Sequence, residues 1–127
     1  MTFQDFLAKI QAARIEEVRA HTEEYLEVVI SQPSLDLVNQ ILTAYFGTPL
    51  KPAGHAPSGE ASRLAEPYGG IRKDQTMYFR RDGDSSECAL LWPWGSGARV
   101  TIKISHSKSS GSRGSWMSFL KSFFGGK

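Results

Sequence analysis

Residues 1–30 read Met1-Thr-Phe-Gln-Asp-Phe-Leu-Ala-Lys-Ile-Gln-Ala-Ala-Arg-Ile-Glu-Glu-Val-Arg-Ala-His-Thr-Glu-Glu-Tyr-Leu-Glu-Val-Val-Ile30, and the assignment of this stretch decides the fold. It holds neither glycine nor proline. Thr2 followed three residues later by Asp5 has the form of a capping box with the shorter acid. Phe3, Phe6, Leu7, Ile10, Ile15, Val18, Tyr25, Leu26 and Val29 keep close to helical spacing, with Glu16, Glu17, Glu23, Glu24 and Glu27 mostly off that stripe. The pattern predicts one long helix of about 40 Å at about 1.5 Å per residue. That is longer than a small domain is wide, so the reading adds a homodimer contact along the overhang.

Ser31-Gln-Pro-Ser34 breaks the pattern, and Ser34 is placed to cap a second helix over 35–46. Its stripe is Leu35, Val38, Ile41, Leu42, Tyr45 and Phe46, and Gly47 is a suitable terminator. So short a link implies an antiparallel helical hairpin. Residues 47–74 carry Pro49, Pro52, Pro57 and Pro67 with five glycines, leaving only 61–66 for a helical turn. A connection of this length is either a binding loop or a linker.

Strand chemistry follows. Residues 75–81 alternate, 82–85 form a turn, 87–92 are apolar, and 93–97 turn again. In 99–105 Val100, Ile102 and Ile104 point inward, and Arg99, Thr101, Lys103 and Ser105 outward. The fold class is therefore α+β: an N-terminal helical hairpin packed on a three-stranded antiparallel sheet, spanning 1–105. A flexible linker, 106–115, and an amphipathic docking tail, 116–127, complete the expected organisation.

Hydrophobic content of 40% and a mean hydropathy of −0.31 suit a soluble globular chain of 127 residues. No run approaches the roughly 18 apolar residues needed to span a bilayer. No secretory signal is visible at the start, and the single cysteine, Cys88, leaves no internal disulfide framework. The expected location is cytoplasmic, with peripheral membrane association open. Residues 1–87 hold all thirteen acids against nine basic residues, whereas 88–127 hold six basic residues and no acid. That asymmetry favours an anionic partner for the C-terminal third.

The tail stands out. After Ser105–Ser115, a spacer without aliphatic or aromatic residues, come Trp116, Met117, Phe119, Leu120, Phe123 and Phe124, with Lys121 among the polar positions. Placed on a helix, the six apolar side chains share one face. Burying them yields on the order of 10–15 kcal/mol, and ordering about ten residues costs a similar amount. Such a tip binds weakly and reversibly.

No other constellation carries comparable chemistry. His21, His55 and His106 lack ligand partners at metal spacing, and no cofactor motif is present. Cys88 reads as a small buried hydrophobe. Gly69-Gly70 precedes Ile71-Arg72-Lys73 but lacks the Gly-Lys-Ser/Thr ending of a phosphate loop. The expected function is a non-catalytic adaptor or targeting protein that docks through residues 115–124 on a protein partner or an anionic membrane. One alternative is a small enzyme or ligand-binding module with a site under the 47–74 loop, using Tyr68, Arg72, Arg80 or His55. Another is a nucleic-acid binder that uses the row Arg99, Thr101, Lys103 and Ser105 with Trp92, Trp94 and Tyr78.

Overall fold

The computed structural model of the chain describes residues 1–108. Its elements are α1 (Phe3–Ala12), β1 (Glu17–His21), β2 (Tyr25–Ser31), a 3-10 turn (Gln32–Ser34), α2 (Leu35–Phe46), α3 (Gly59–Ala65), a second 3-10 turn (Glu66–Tyr68), β3 (Thr76–Asp82), β4 (Ser85–Pro93) and β5 (Arg99–Lys108). The class is α+β, and the sheet has five strands in the order β1-β2-β5-β4-β3, every neighbouring pair antiparallel.

The long helix expected over residues 1–30 is a helix followed by a β-hairpin. Its start is as read: Thr2 Oγ1 accepts from the Asp5 amide at 3.0 Å, and the Thr2 amide donates to Asp5 Oδ2 at 3.2 Å. Its end comes early, where the Ala13 amide donates to the Ile10 carbonyl at 3.1 Å. Tyr25-Leu26-Glu27-Val28-Val29-Ile30 explains the rest, because all six residues are buried. A strand covered on both faces buries a continuous run, and β-branched residues favour it. Val28 and Ile30 are the two apolar residues of this run that the helical stripe left out. β1 pairs with β2 as a mostly exposed edge, and the hairpin closes through the Thr22 amide and the Tyr25 carbonyl at 2.7 Å.

These changes correct the expected three-stranded sheet under a helical hairpin. β2 enters the sheet beside β5, making β5 its central strand. α1 and α2 still pack together, with the Phe6 ring stacked on Tyr45 at 4.2 Å and edge-on to Phe46 at 5.4 Å. A whole hairpin separates them in sequence, and α1 has ten residues in place of the expected thirty. Gly47 ends α2 at φ +83° as anticipated, but Ser34 makes no side-chain cap; its hydroxyl lies 3.4 Å from that of Ser31.

Both faces of the sheet are covered. On the first, Leu26, Val28, Ile30, Ala89, Leu91, Val100, Ile102 and Ile104 meet Phe6, Leu7 and Ile10 of α1 and Val38, Leu42 and Phe46 of α2. On the second, Tyr25, Met77, Cys88 and Leu90 meet Ala61, Ala65 and Tyr68. The segment 47–74 is thus a structural layer, with Ser58 Oγ capping α3 by accepting from the Ala61 amide at 3.1 Å. Lys51 anchors it, pairing with Met77 beside β3 and donating its buried ammonium to the carbonyls of Lys73, at 2.6 Å, and Gln75.

The second layer also overturns the expected solvent row on β5. Thr101, Lys103 and Ser105 are only 5%, 3% and 2% exposed, and of that row Arg99 alone reaches solvent. β5 itself continues to Lys108, so His106–Lys108 belong to the sheet rather than to a linker. Among the described residues, no helix is long and apolar enough to cross a membrane.

Candidate functional site

Strand register arranges the second face into cross-strand rows. Arg81, Ser86 and Ser107 form one; Phe79, Cys88, Ser105 and Tyr25 form the next; Met77, Leu90, Lys103 and Glu27 form the third. The third row is filled by long side chains. Lys103 Nζ sits 3.3 Å from the Trp92 ring centroid and donates to the Tyr68 carbonyl at 3.1 Å. Such a desolvated cation–π contact fixes where the second 3-10 turn meets the sheet. Gly69, at φ +108°, lets the backbone pass: a Cβ there would lie 2.5 Å from the Trp92 ring. Glu27, also buried, accepts from the Tyr25 hydroxyl at 2.7 Å.

The first two rows behave differently. Ser86 stands directly opposite Ser107, and Cys88 opposite Ser105. Four small side chains in a two-by-two block cannot fill the space beneath the helical layer. The result is a pocket of about 160 Å3 walled by Arg63, Leu64, Pro67, Tyr68 and Phe79. At its base Cys88 Sγ and Ser105 Oγ are 3.2 Å apart. Burial pushes the Cys88 thiol up to about 11, against the opposing pull of the Ser105 and Tyr68 hydroxyls. The base is thus uncharged near neutral pH, and this cysteine is no thiolate nucleophile.

A second polar cluster lies on the first face, where Glu87 is buried. Its carboxylate accepts from the Tyr45 hydroxyl, lies 2.7 Å from His106 Nδ1, and has the Arg80 guanidinium at 3.9 Å. Arg80 also stacks over the Tyr45 ring at 4.6 Å, and the Phe3 ring meets the His106 ring at 5.3 Å. Burial, then the carboxylate, holds the Tyr45 phenol well above its ordinary range. Side chains from α2, β3 and β5 meet on this one carboxylate of β4, and α1 reaches the cluster through Phe3 on the His106 ring.

Of the residues expected under the 47–74 loop, Tyr68 alone lines the pocket. Arg80 belongs to the Glu87 cluster, Arg72 is exposed beside Asp74 at 3.9 Å, and His55 is exposed. Trp94 donates its indole N–H to Thr101 Oγ1 at 2.9 Å, and Tyr78 donates to Asn39 Oδ1 at 3.1 Å. The nucleic-acid row is therefore not assembled as an open platform. Sequence reasoning missed Arg63, Ser86 and Ser107; the available signal was the repeated small residues Ser86-x-Cys88 and Ser105-x-Ser107 at strand spacing. Trp116, Met117, Phe119, Leu120, Lys121, Phe123 and Phe124 lie outside the described residues. Among the described residues no group of three or more His, Cys, Asp or Glu side chains is placed to hold a metal ion. Comparison with family models finds no matching family, and no curated protein and no solved structure matches the chain.

Proposed function

We propose that the chain is a non-catalytic adaptor or targeting protein, docking through Trp116, Met117, Phe119, Leu120, Phe123 and Phe124 on a protein partner or an anionic membrane surface. One observation carries the reading. Helical layers that precede the tail cover both faces of the inner strands β2, β5 and β4, in cores that run from Phe6 to Ile104. Those layers form without any residue after Lys108, and six large apolar side chains following a polar spacer in sequence support a docking segment. Lys121 and Lys127, with Arg113 and Lys108 upstream, add attraction to an anionic surface.

Transfer of the segment tests this. Residues 109–127 fused to an unrelated soluble protein should confer binding to anionic vesicles, or retain the native partner. Trp116→Ala combined with Phe123→Ser should remove it. Added salt weakens a lipid interaction by screening the lysines and leaves an apolar groove nearly unaffected. A fusion that binds neither vesicles nor partner, while the full chain does, places the binding elsewhere.

A further inference from the structure

The recess under α3 goes beyond a docking role, and it belongs to the folded core rather than to the tail. We propose that it binds a small ligand carrying an oxyanion, a phosphate or carboxylate on a short hydroxylated body, between Arg63 and the Ser86, Ser105 and Ser107 hydroxyls.

The argument starts from shape. Neighbouring rows on the same sheet face carry Met77, Leu90 and Lys103, which fill their space, whereas Ser86, Cys88, Ser105 and Ser107 leave theirs open. Interiors are ordinarily packed to crystal-like density, so a polar hollow beneath a capped helix is an exception. Its volume of about 160 Å3 is close to that of cavities of about 150 Å3 that hold a benzene-sized molecule. A ligand of roughly that size fits.

Chemistry narrows the class. Three serine hydroxyls line the pocket, and the Cys88 thiol at its base stays protonated. These are neutral groups with protons to donate. Arg63, at an exposed position, is the cationic residue of the wall. Arg81 stands opposite Ser86 in the ladder and stacks over the wall residue Phe79 at 5.3 Å. Glu87 touches the recess only by its position in β4, because strand alternation turns its carboxylate to the other face, where Tyr45 and His106 hold it. Hydroxyl donors around a guanidinium recognise an oxyanion, and charge-assisted hydrogen bonds give it most of its affinity. Leu64, Pro67, Tyr68 and Phe79 limit the body to a few carbons.

An NMR titration of the full chain tests the site, with glycerol 3-phosphate, glycerate and glycerol as probes. One or both anions should shift the Ser86, Cys88, Ser105 and Ser107 amides saturably, and the tighter of the two names the anionic group. Glycerol, which has the body without the charge, should leave them unmoved. Arg63→Gln, at an exposed position, should weaken binding by about tenfold or more. Ser86→Leu should fill the recess and abolish binding with the remaining spectrum preserved; should that variant unfold, Arg63→Gln decides alone. The proposal is overturned if neither anion produces saturable shifts up to about 10 mM. Shifts centred outside the recess, or undiminished binding by Arg63→Gln, overturn it equally. None of these outcomes bears on the tail.

Discussion

Glu87 and His106 face each other across the β4–β5 ladder, with His106 Nδ1 2.7 Å from Glu87 Oε2. The same carboxylate accepts from Tyr45 of α2, and the His106 ring rests against Phe3 of α1. Glu87 thus fastens the first helical layer to the sheet, as the Tyr78 hydroxyl does through Asn39. Glu87→Gln keeps the shape but puts an NH2 group where one of two acceptor oxygens stood. Breaking a buried charged network of this kind costs about 3–5 kcal/mol, which urea denaturation would read as a lowered midpoint at unchanged slope. A loss below about 1 kcal/mol would mean that the cluster behaves as a surface pair.

Gly69 and Trp92 form a second coupled pair. Gly69→Ala places a methyl 2.5 Å from the indole and forces a non-glycine residue to φ +108°. The cost should be about 1–3 kcal/mol. Trp92→Leu removes the clash but not the dihedral strain, so the double variant should be less destabilised than the sum of the single ones. Additive losses in that double-mutant cycle would show that the ring is not the obstacle.

Alkaline pH should destabilise the fold. The Cys88 thiol ionises near 9 in the unfolded chain and near 11 when folded. Below 9 both states hold the proton; between 9 and 11 only the folded state does. The unfolded state therefore gains as pH rises through that window, by about 3 kcal/mol in total. Burial raises the phenols of Tyr25 and Tyr45 as well, with the same sign. Cys88→Ala should make the decline between 9 and 11 shallower. Native protein should also resist thiol alkylation near neutral pH, and rapid labelling without denaturant would contradict the buried placement.

Leu42 packs with no exposed surface between α2 and the sheet. Leu42→Ala should cost about 2–5 kcal/mol in chemical denaturation. A loss below about 1 kcal/mol would place α2 at the periphery.

The parts of this fold that sequence could reveal are those set by local chemistry. Thr2 and Asp5 mark the start of α1, Gly47 the end of α2, and the turn signals near 82–85 and 93–97 separate three strands that form there with longer or shifted ends. The parts it concealed depend on distant partners. Tyr25–Ile30 is a short apolar run whose Tyr25, Leu26 and Val29 satisfy a helix and whose full length satisfies a doubly covered strand. Only pairing with β5, more than seventy residues away, decides between them. Likewise Thr101, Lys103 and Ser105 alternate as a solvated row does, and are buried by distant groups: Trp94 on Thr101, Trp92 and the Tyr68 turn on Lys103, and Cys88 beside Ser105. The recess could not be seen before Ser86 was known to face Ser107, since register brings the two strands' small residues together.

The proposed docking role requires residues 1–108 to fold without the tail and binding to reside beyond Lys108. Comparing the full chain with a 1–108 truncation, by thermal melting and by binding to anionic vesicles or the native partner, tests it most directly. Melting temperatures should agree to within about 2 °C, with binding lost from the truncation. The contradicting result is a truncation that melts several degrees lower while keeping every interaction. The tail would then belong to the core, and the groove between α1 and α2 lined by Met1, Leu37 and Ile41, where Leu37 is 50% exposed, would be the place it covers.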